Sequence, residues 1–158
     1  MKQIPLTQGL FALVDDGDFE LLSRYKWNAT PCRKHGTYRA SRFVETGTNP
    51  ILMHREIMGF PDGKQVDHIN GNPLDNRREN LRICENAENN RNKGLTKAST
   101  SGYKGVSLYK RSGTWRAYIV TNYKQKHLGT FDNPIDAAKA YNVAAIKFHG
   151  EFARLNDI

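Results

Sequence analysis

Cysteine is scarce in this sequence, and its scarcity excludes two kinds of small domain. The chain has two cysteines, Cys32 and Cys84, and no C-x-x-C pair. Small secreted domains are held together by several disulfides, and structural zinc sites need closely spaced cysteine or histidine pairs. The sequence therefore predicts neither a disulfide framework nor a zinc staple, and a reducing cytoplasm is the expected compartment.

Long hydrophobic runs are also missing. The longest uninterrupted apolar run is Leu10–Val14, and the mean hydropathy of the chain is −0.70. A membrane-spanning helix needs about 20 predominantly apolar residues. We therefore expect no membrane partner and no signal peptide, and the thin supply of apolar residues favours two compact modules over one deep core.

Acidic residues are absent from one long stretch. Between Gly94 and Phe131 there are seven basic residues and no acid. Residues 1–93 carry 14 Lys and Arg against 12 Asp and Glu, a net of +2, and residues 94–158 carry 10 against 4, a net of +6. This distribution predicts a polyanionic partner that is bound mainly by the second half of the chain.

Residues 65–93 have the strongest pattern in the chain. Gln65–Ile69 is predicted to be a short strand, and the Asn-Gly pair that follows is a strong turn signal. A second short strand is predicted at Leu81–Ile83 and a helix at Glu85–Asn92. An acid and a histidine, Asp67 and His68, therefore lie at the end of the first strand.

These residue types suit phosphodiester hydrolysis. A histidine titrates near neutral pH, so His68 can act as a base toward water. Carboxylate and amide oxygens are hard ligands that favour Mg²⁺ or Mn²⁺ over zinc, and Asp67 and Asn89 could form a sparse cation site. Adjacent strand residues point to opposite faces, so Asp67 and His68 share a site only where the strand twists or ends.

This segment resembles the HNH homing-type endonucleases of the ββα-metal group. The resemblance implies that His68 is the general base and that Asp67 is a metal ligand. It implies further that Asn80 braces the loop and orients the base, and that Asn89 is the second ligand; Asn90 and Asn92 leave this last assignment open. The alternative is an ordinary hairpin and helix whose asparagines serve turns and caps.

The N-terminal region is predicted to support this segment with a small antiparallel sheet. Strands are expected at 11–14, 26–29 and 38–43, turns at 15–17 and 34–36, and a short helix at 19–25 capped by Asp18. Arg39 and Arg42 are three apart on one strand and face opposite ways, so they cannot form a two-arginine clamp and a scaffold role is expected. Just upstream of the motif, Arg55 either contacts a DNA phosphate or pairs with a carboxylate.

The second module is predicted to contain three strands and a helix. The strands are expected at 103–109, 114–121 and 125–129. The helix has Asp132 or Asn133 as its cap, Pro134 at its first position and Gly150 at its end. Its many alanines allow close packing on one face of the sheet and leave the other face uncovered.

Residues 101–156 resemble the ethylene-response-factor (Apetala-type) DNA-binding domain, in which a three-stranded sheet enters the major groove. Ser107, Tyr109 and Val120 stand where that family often has arginines, so its GC-rich target is not carried over. For Trp115, core packing is as good an expectation as DNA contact. The residues that match family contacts, together with basic residues of the turns, are Lys104, Ser107, Tyr109, Lys110, Arg111, Trp115, Arg116, Tyr118, Lys124, Gln125, Lys126 and His127.

Together these patterns predict an α+β protein with an HNH endonuclease domain at 1–94 (motif 65–93), a flexible linker at 95–102 and a DNA-binding domain at 103–158. We expect a monomeric, Mg²⁺- or Mn²⁺-dependent nuclease that cuts double-stranded DNA in the cytoplasm of a bacterial or phage-infected host cell. Two alternatives stay open. One is a DNA-binding regulator whose nuclease head has decayed, and the other is a nuclease directed at RNA or at special nucleic-acid structures.

Overall fold

The computed structural model describes four stretches of the chain, residues 1–32, 36–44, 49–95 and 99–158. They form two compact units, Met1–Asn89 and Asn90–Ile158. Both units combine short antiparallel strands with a few helices, which confirms the predicted α+β class. No helix in the described stretches is long and apolar enough to cross a membrane. Residues 34–35 of one predicted turn and 96–98 of the predicted linker lie outside the description, and the predicted domain boundaries stay a prediction.

The N-terminal part of the first unit is built from two small sheets. Strand β1 pairs antiparallel with β2, and β4 lies between β3 and β5 in a three-stranded antiparallel sheet. The strand bounds are β1 Lys2–Pro5, β2 Phe11–Val14, β3 Asn28–Cys32, β4 Thr37–Arg42 and β5 Ile51–Leu52.

Helix α1 spans Asp16–Leu22 and begins earlier than the sequence predicts. The turn predicted at residues 15–17 is instead the entry to this helix, with Asp15 as the extended residue before it. Two acids, Asp16 and Asp18, lie in its first turn, where they interact favourably with the helix dipole. After the helix, the Trp27 indole N–H donates to the Leu22 carbonyl oxygen at 2.8 Å, and the next strand starts two residues later than expected, at Asn28.

The hairpin and helix of the central motif follow. Strand β6 (Gln65–His68) pairs antiparallel with β7 (Leu81–Cys84), with Asp67 opposite Arg82 and His68 opposite Leu81. Helix α2 (Met53–Ile57) precedes the hairpin and helix α3 (Asn86–Asn92) follows it. The predicted strand, loop, strand, helix order is therefore confirmed. Its support is a shared core of Ile4, Leu6, Ala12, Val14, Leu22, Trp27, Ala29, Ala40, Met53, Ile57, Val66 and Leu81.

The second unit is a three-stranded antiparallel sheet packed on one helix. The central strand is β9 (Thr114–Thr121), with β8 (Val106–Tyr109) and β10 (Lys124–Phe131) on its sides. Helix α4 (Pro134–His149) begins at Asn133, whose side-chain oxygen accepts the Asp136 backbone N–H at 2.9 Å.

Close packing in this unit depends on one glycine. Gly105 has a φ of +74°, and a Cβ atom there would lie 2.1 Å from Cδ2 of the Tyr141 ring on α4. A side chain is therefore excluded both by the backbone conformation and by the helix. Ala117 and Ile119 of β9 are fully buried against α4.

Candidate functional site

The acid and the histidine of the motif lie on strand β6, in the interior of the first unit. Asp67 and His68 are both 8 % exposed, at the point where β6 ends. The Ile69 backbone N–H then donates to the Asn80 carbonyl oxygen at 2.8 Å, so the chain turns away immediately after His68. Because the strand ends there, the two neighbouring side chains can serve one site.

His68 is held by a residue that the sequence analysis did not select. Its Nε2 lies 3.3 Å from Oδ1 of Asn76, which is fully buried. With Nε2 protonated, this contact is a hydrogen bond to the Asn76 amide oxygen, which only accepts. Burial lowers the pKa of His68, although the Asn76 contact and the charges of Asp67 and Asp75 act in the opposite direction. A lowered pKa favours the neutral ring, the form in which a histidine acts as a base.

Asp67 makes an ion pair across the hairpin. Its Oδ2 accepts hydrogen bonds from Nη2 of Arg82 at 2.8 Å and from Nε at 3.1 Å. Both side chains are largely buried. A cation held by Asp67 would therefore share this carboxylate with a guanidinium group.

Asn80 braces the polar loop between the two strands of the hairpin. Its Oδ1 accepts the Asn70 backbone N–H at 2.9 Å, and its Nδ2 donates to the Asp75 carbonyl oxygen at 2.7 Å. The buried Asp75 carboxylate in turn accepts two hydrogen bonds from Arg77, and these bonds, with the Arg77 charge, hold the pKa of Asp75 below its usual range. These hydrogen bonds tie the loop to Asn80, whose role in orienting the base stays a prediction.

Asn89 lies on α3, where its backbone N–H donates to the Glu85 carbonyl oxygen at 3.0 Å. Its side chain is half-buried, Asn90 is exposed and Asn92 is buried. Within the described stretches, no three or more His, Cys, Asp or Glu side chains are grouped to hold a metal ion. The predicted pair of Asp67 and Asn89 has a single acid, and its oxygen donors are of the kind that Mg²⁺ and Mn²⁺ bind. This assignment, including the choice among the three asparagines, stays a prediction.

A second histidine lies beside His68. The ring centroids of His54 and His68 are 4.9 Å apart, and the rings meet edge to face at 74°. Burial and the nearby His68, Arg39 and Arg55 lower the pKa of His54 to about 3. The sequence analysis did not place His54 in the site. Arg55 itself donates to the carbonyl oxygens of Lys64 (2.9 Å) and Pro61 (3.0 Å), so its guanidinium holds the turn before β6.

One face of the second unit's sheet is turned away from α4, and we call it the open face. Six of the twelve DNA contacts predicted in this unit lie on it. Strand alternation and register place them opposite the buried Ala117 and Ile119. The Arg116 guanidinium lies 3.4 Å from the centroid of the Tyr109 ring, and the Tyr118 and His127 rings are 5.2 Å apart. The open face consists of Ser107, Tyr109, Arg116, Tyr118, Gln125 and His127. Three exposed cations, Lys110, Arg111 and Lys124, lie in or beside the turns.

Three predicted DNA contacts lie elsewhere in this unit. Trp115 packs into the core between sheet and helix. Lys126 is paired with Ile119 in the sheet, and its Nζ is 4.7 Å from the centroid of the Phe148 ring on α4. The Lys104 Nζ donates to the carbonyl oxygens of Arg91 and Lys93, and burial lowers its pKa to about 8. The described geometry thus separates these three from the open face.

Comparison with known proteins identifies the family to which the first unit belongs. The model of an HNH endonuclease family matches residues 53–91. An uncharacterized HNH endonuclease of Acanthamoeba polyphaga mimivirus is 30 % identical over 156 residues, which are 96 % of this chain and 77 % of the viral protein. The chain belongs to the HNH endonuclease family. Protein 3.8 of Escherichia phage T7 is 37 % identical to this HNH family member over 95 residues, 60 % of the chain and 78 % of the phage protein.

The second unit of this HNH family member carries an AP2 domain, matched at residues 101–151. APETALA2-like protein 2 of Oryza sativa subsp. indica is 45 % identical over 60 residues, 38 % of the chain and 14 % of the plant protein. The chain therefore shares one domain with the plant proteins and most of its length with the viral one. Both resemblances seen in the sequence are confirmed. No solved structure matches the chain.

Proposed function

We propose that this HNH endonuclease hydrolyses phosphodiester bonds of duplex DNA at the site around His68. The observation that carries the proposal is a buried imidazole, in contact with Asn76 through Nε2, next to the buried carboxylate of Asp67. In its neutral form His68 accepts a proton from the attacking water. Asn76 and the loop braced by Asn80 hold the ring, so its lone pair has a fixed direction.

Asp67 and Asn89 are the residues that would hold a divalent cation, Mg²⁺ or Mn²⁺. When bound, the cation supplies positive charge that neutralises the leaving oxygen. Arg82 keeps the Asp67 carboxylate oriented toward the hairpin and compensates its charge inside the protein.

The AP2 domain would anchor the DNA through its open face. Arg116 is the one cation among the six open-face residues, and Lys110, Arg111 and Lys124 extend the positive surface to both sides. Aromatic rings and a guanidinium on a flat sheet suit the bases and sugars of a groove, while the turn lysines and arginine suit phosphates. Relatives from a phage and a giant virus support action inside an infected host cell.

Supercoiled-plasmid nicking with purified protein tests the proposal. We expect conversion to the open circle in Mg²⁺ or Mn²⁺, none in excess chelator, and loss of cleavage in Asp67→Ala. One site in a monomer cuts one strand in each visit, so nicking should precede linearisation. Intact plasmid under every metal condition, with DNA binding retained, would favour the non-cleaving regulator instead. Structured RNA that competes better than duplex DNA would favour an RNA-directed nuclease.

A further inference from the structure

Arg39 approaches the nuclease site from outside the motif. It lies on β4, and the register of β4 with β5 pairs Ser41 with Leu52 and Arg42 with Ile51. Continuing this register by two residues places Arg39 opposite His54, where β5 has given way to α2. The Arg39 charge reaches His54 and contributes to the low pKa of that imidazole.

The guanidinium of Arg39 has a buried donor that lacks an acceptor. Its Nε is buried, and across residues 1–32, 36–44, 49–95 and 99–158 no acceptor lies within hydrogen-bond distance of it. Arg42 on the same strand is different, because it donates to both Glu56 carboxylate oxygens at 3.1 and 3.0 Å and lies over the Tyr25 ring. A buried donor without an acceptor costs about 1–3 kcal/mol. An acceptor from outside the protein would remove this cost.

The position of Arg39 identifies the kind of acceptor. By this register Arg39 is a neighbour of His54, and the His54 ring contacts the His68 ring edge to face. His54 therefore links Arg39 to the proposed base. A planar guanidinium binds phosphate oxygens through parallel N–H donors, and the neutral His54 adds no charge of its own.

We propose that Arg39 binds a non-bridging oxygen of the phosphodiester on which His68 acts, so that β4 supplies a phosphate-positioning cation to the site. This inference rests on the proposed function, and it adds a site residue that lies outside residues 53–91.

Single-turnover plasmid nicking by the full chain is the first test. Arg39→Gln should lower the rate about 100-fold, the lower end of the loss when one donor to a transition-state oxyanion is removed. Arg39→Lys keeps the charge without the planar fork and should be intermediate. Arg24→Gln removes an exposed arginine from the same unit and should match the wild type. A wild-type rate in Arg39→Gln would overturn the proposal, and so would equal losses in the Lys and Gln variants.

Inorganic phosphate gives a second readout that does not need cleavage. In metal-free protein, phosphate should shift the ring-proton NMR signals of His54 and His68 in the wild type and in Arg24→Gln. The shifts should be absent in Arg39→Gln and weaker in Arg39→Lys, which also serves if the Gln variant does not fold. Signals that do not move in the wild type, or move equally in Arg39→Gln, would refute the anion site. If the wild type binds phosphate in this way but never nicks DNA, the proposed function fails while the Arg39 site stands.

Discussion

The salt dependence of DNA binding should separate cations of the open face from those that the fold directs elsewhere. Four cations, Arg116, Lys110, Arg111 and Lys124, lie on the open face or at its turns. Each phosphate contact on duplex DNA contributes about −0.9 to the slope of log K against log salt, so four contacts give about −3.6 from this unit. A fourfold rise in salt should then weaken its binding by roughly two orders of magnitude.

Two neighbouring lysines provide a matched comparison. Both lysines have the strand parity of the face that α4 covers, but Lys124 begins β10 beside the turn, whereas Lys126 is paired with Ile119 and lies against Phe148 of the helix. Lys124→Gln should make the slope less negative by about 0.9, and Lys126→Gln should leave it nearly unchanged. Fluorescence anisotropy of a labelled duplex with the full chain in chelator measures both slopes without cleavage. If Lys126→Gln changes the slope as much as Lys124→Gln, the assignment of the open face is wrong.

Three further changes test the head. Asn76→Ala should lower the nicking rate roughly ten- to a hundredfold at unchanged DNA affinity, because His68 loses its positioning partner; an unchanged rate would contradict this role. The folded-state pKa of His54 is below its usual value, so its contribution to stability is present above about pH 6.5 and lost as the pH falls. Between pH 6.5 and pH 5, the free energy of urea unfolding should therefore fall by about 2 kcal/mol less in His54→Gln than in the wild type. Equal falls in the two proteins would refute this prediction. Arg82→Gln should lower the Mn²⁺ concentration at half-saturation in calorimetry, because Asp67 no longer shares its carboxylate; an unchanged midpoint would mean that Asp67 is not a ligand.

Local sequence patterns predicted the elements whose structure depends on residues close to one another in the sequence. The Asn-Gly turn, the short apolar strands and the Pro134 and Gly150 signals correctly indicated the hairpin and α4. The prediction failed at the start of α1, where Asp15, Asp16 and Gly17 looked like a turn. In the fold, Asp15 is the extended residue before the helix, and Asp16 and Asp18 lie in its first turn.

The partners of His68 could not be predicted because they are set by distant pairing. Asn76 is one of many asparagines in a polar loop, and no spacing distinguishes it from the others. Arg39 is placed opposite His54 only by continuing the register of β4 with β5. The placement of Trp115 was partly visible in the sequence, because it has the same parity on β9 as the apolar Ala117 and Ile119.

Cleavage and binding by His68→Ala together test the central claim most directly. The variant should nick supercoiled plasmid about 10²- to 10⁴-fold more slowly than the wild type, because the base acts in the transition state. Its affinity for duplex DNA should be unchanged, because the proposed anchor is the open face of the AP2 domain. A His68→Ala protein that nicks at the wild-type rate in the same Mg²⁺ would contradict the account.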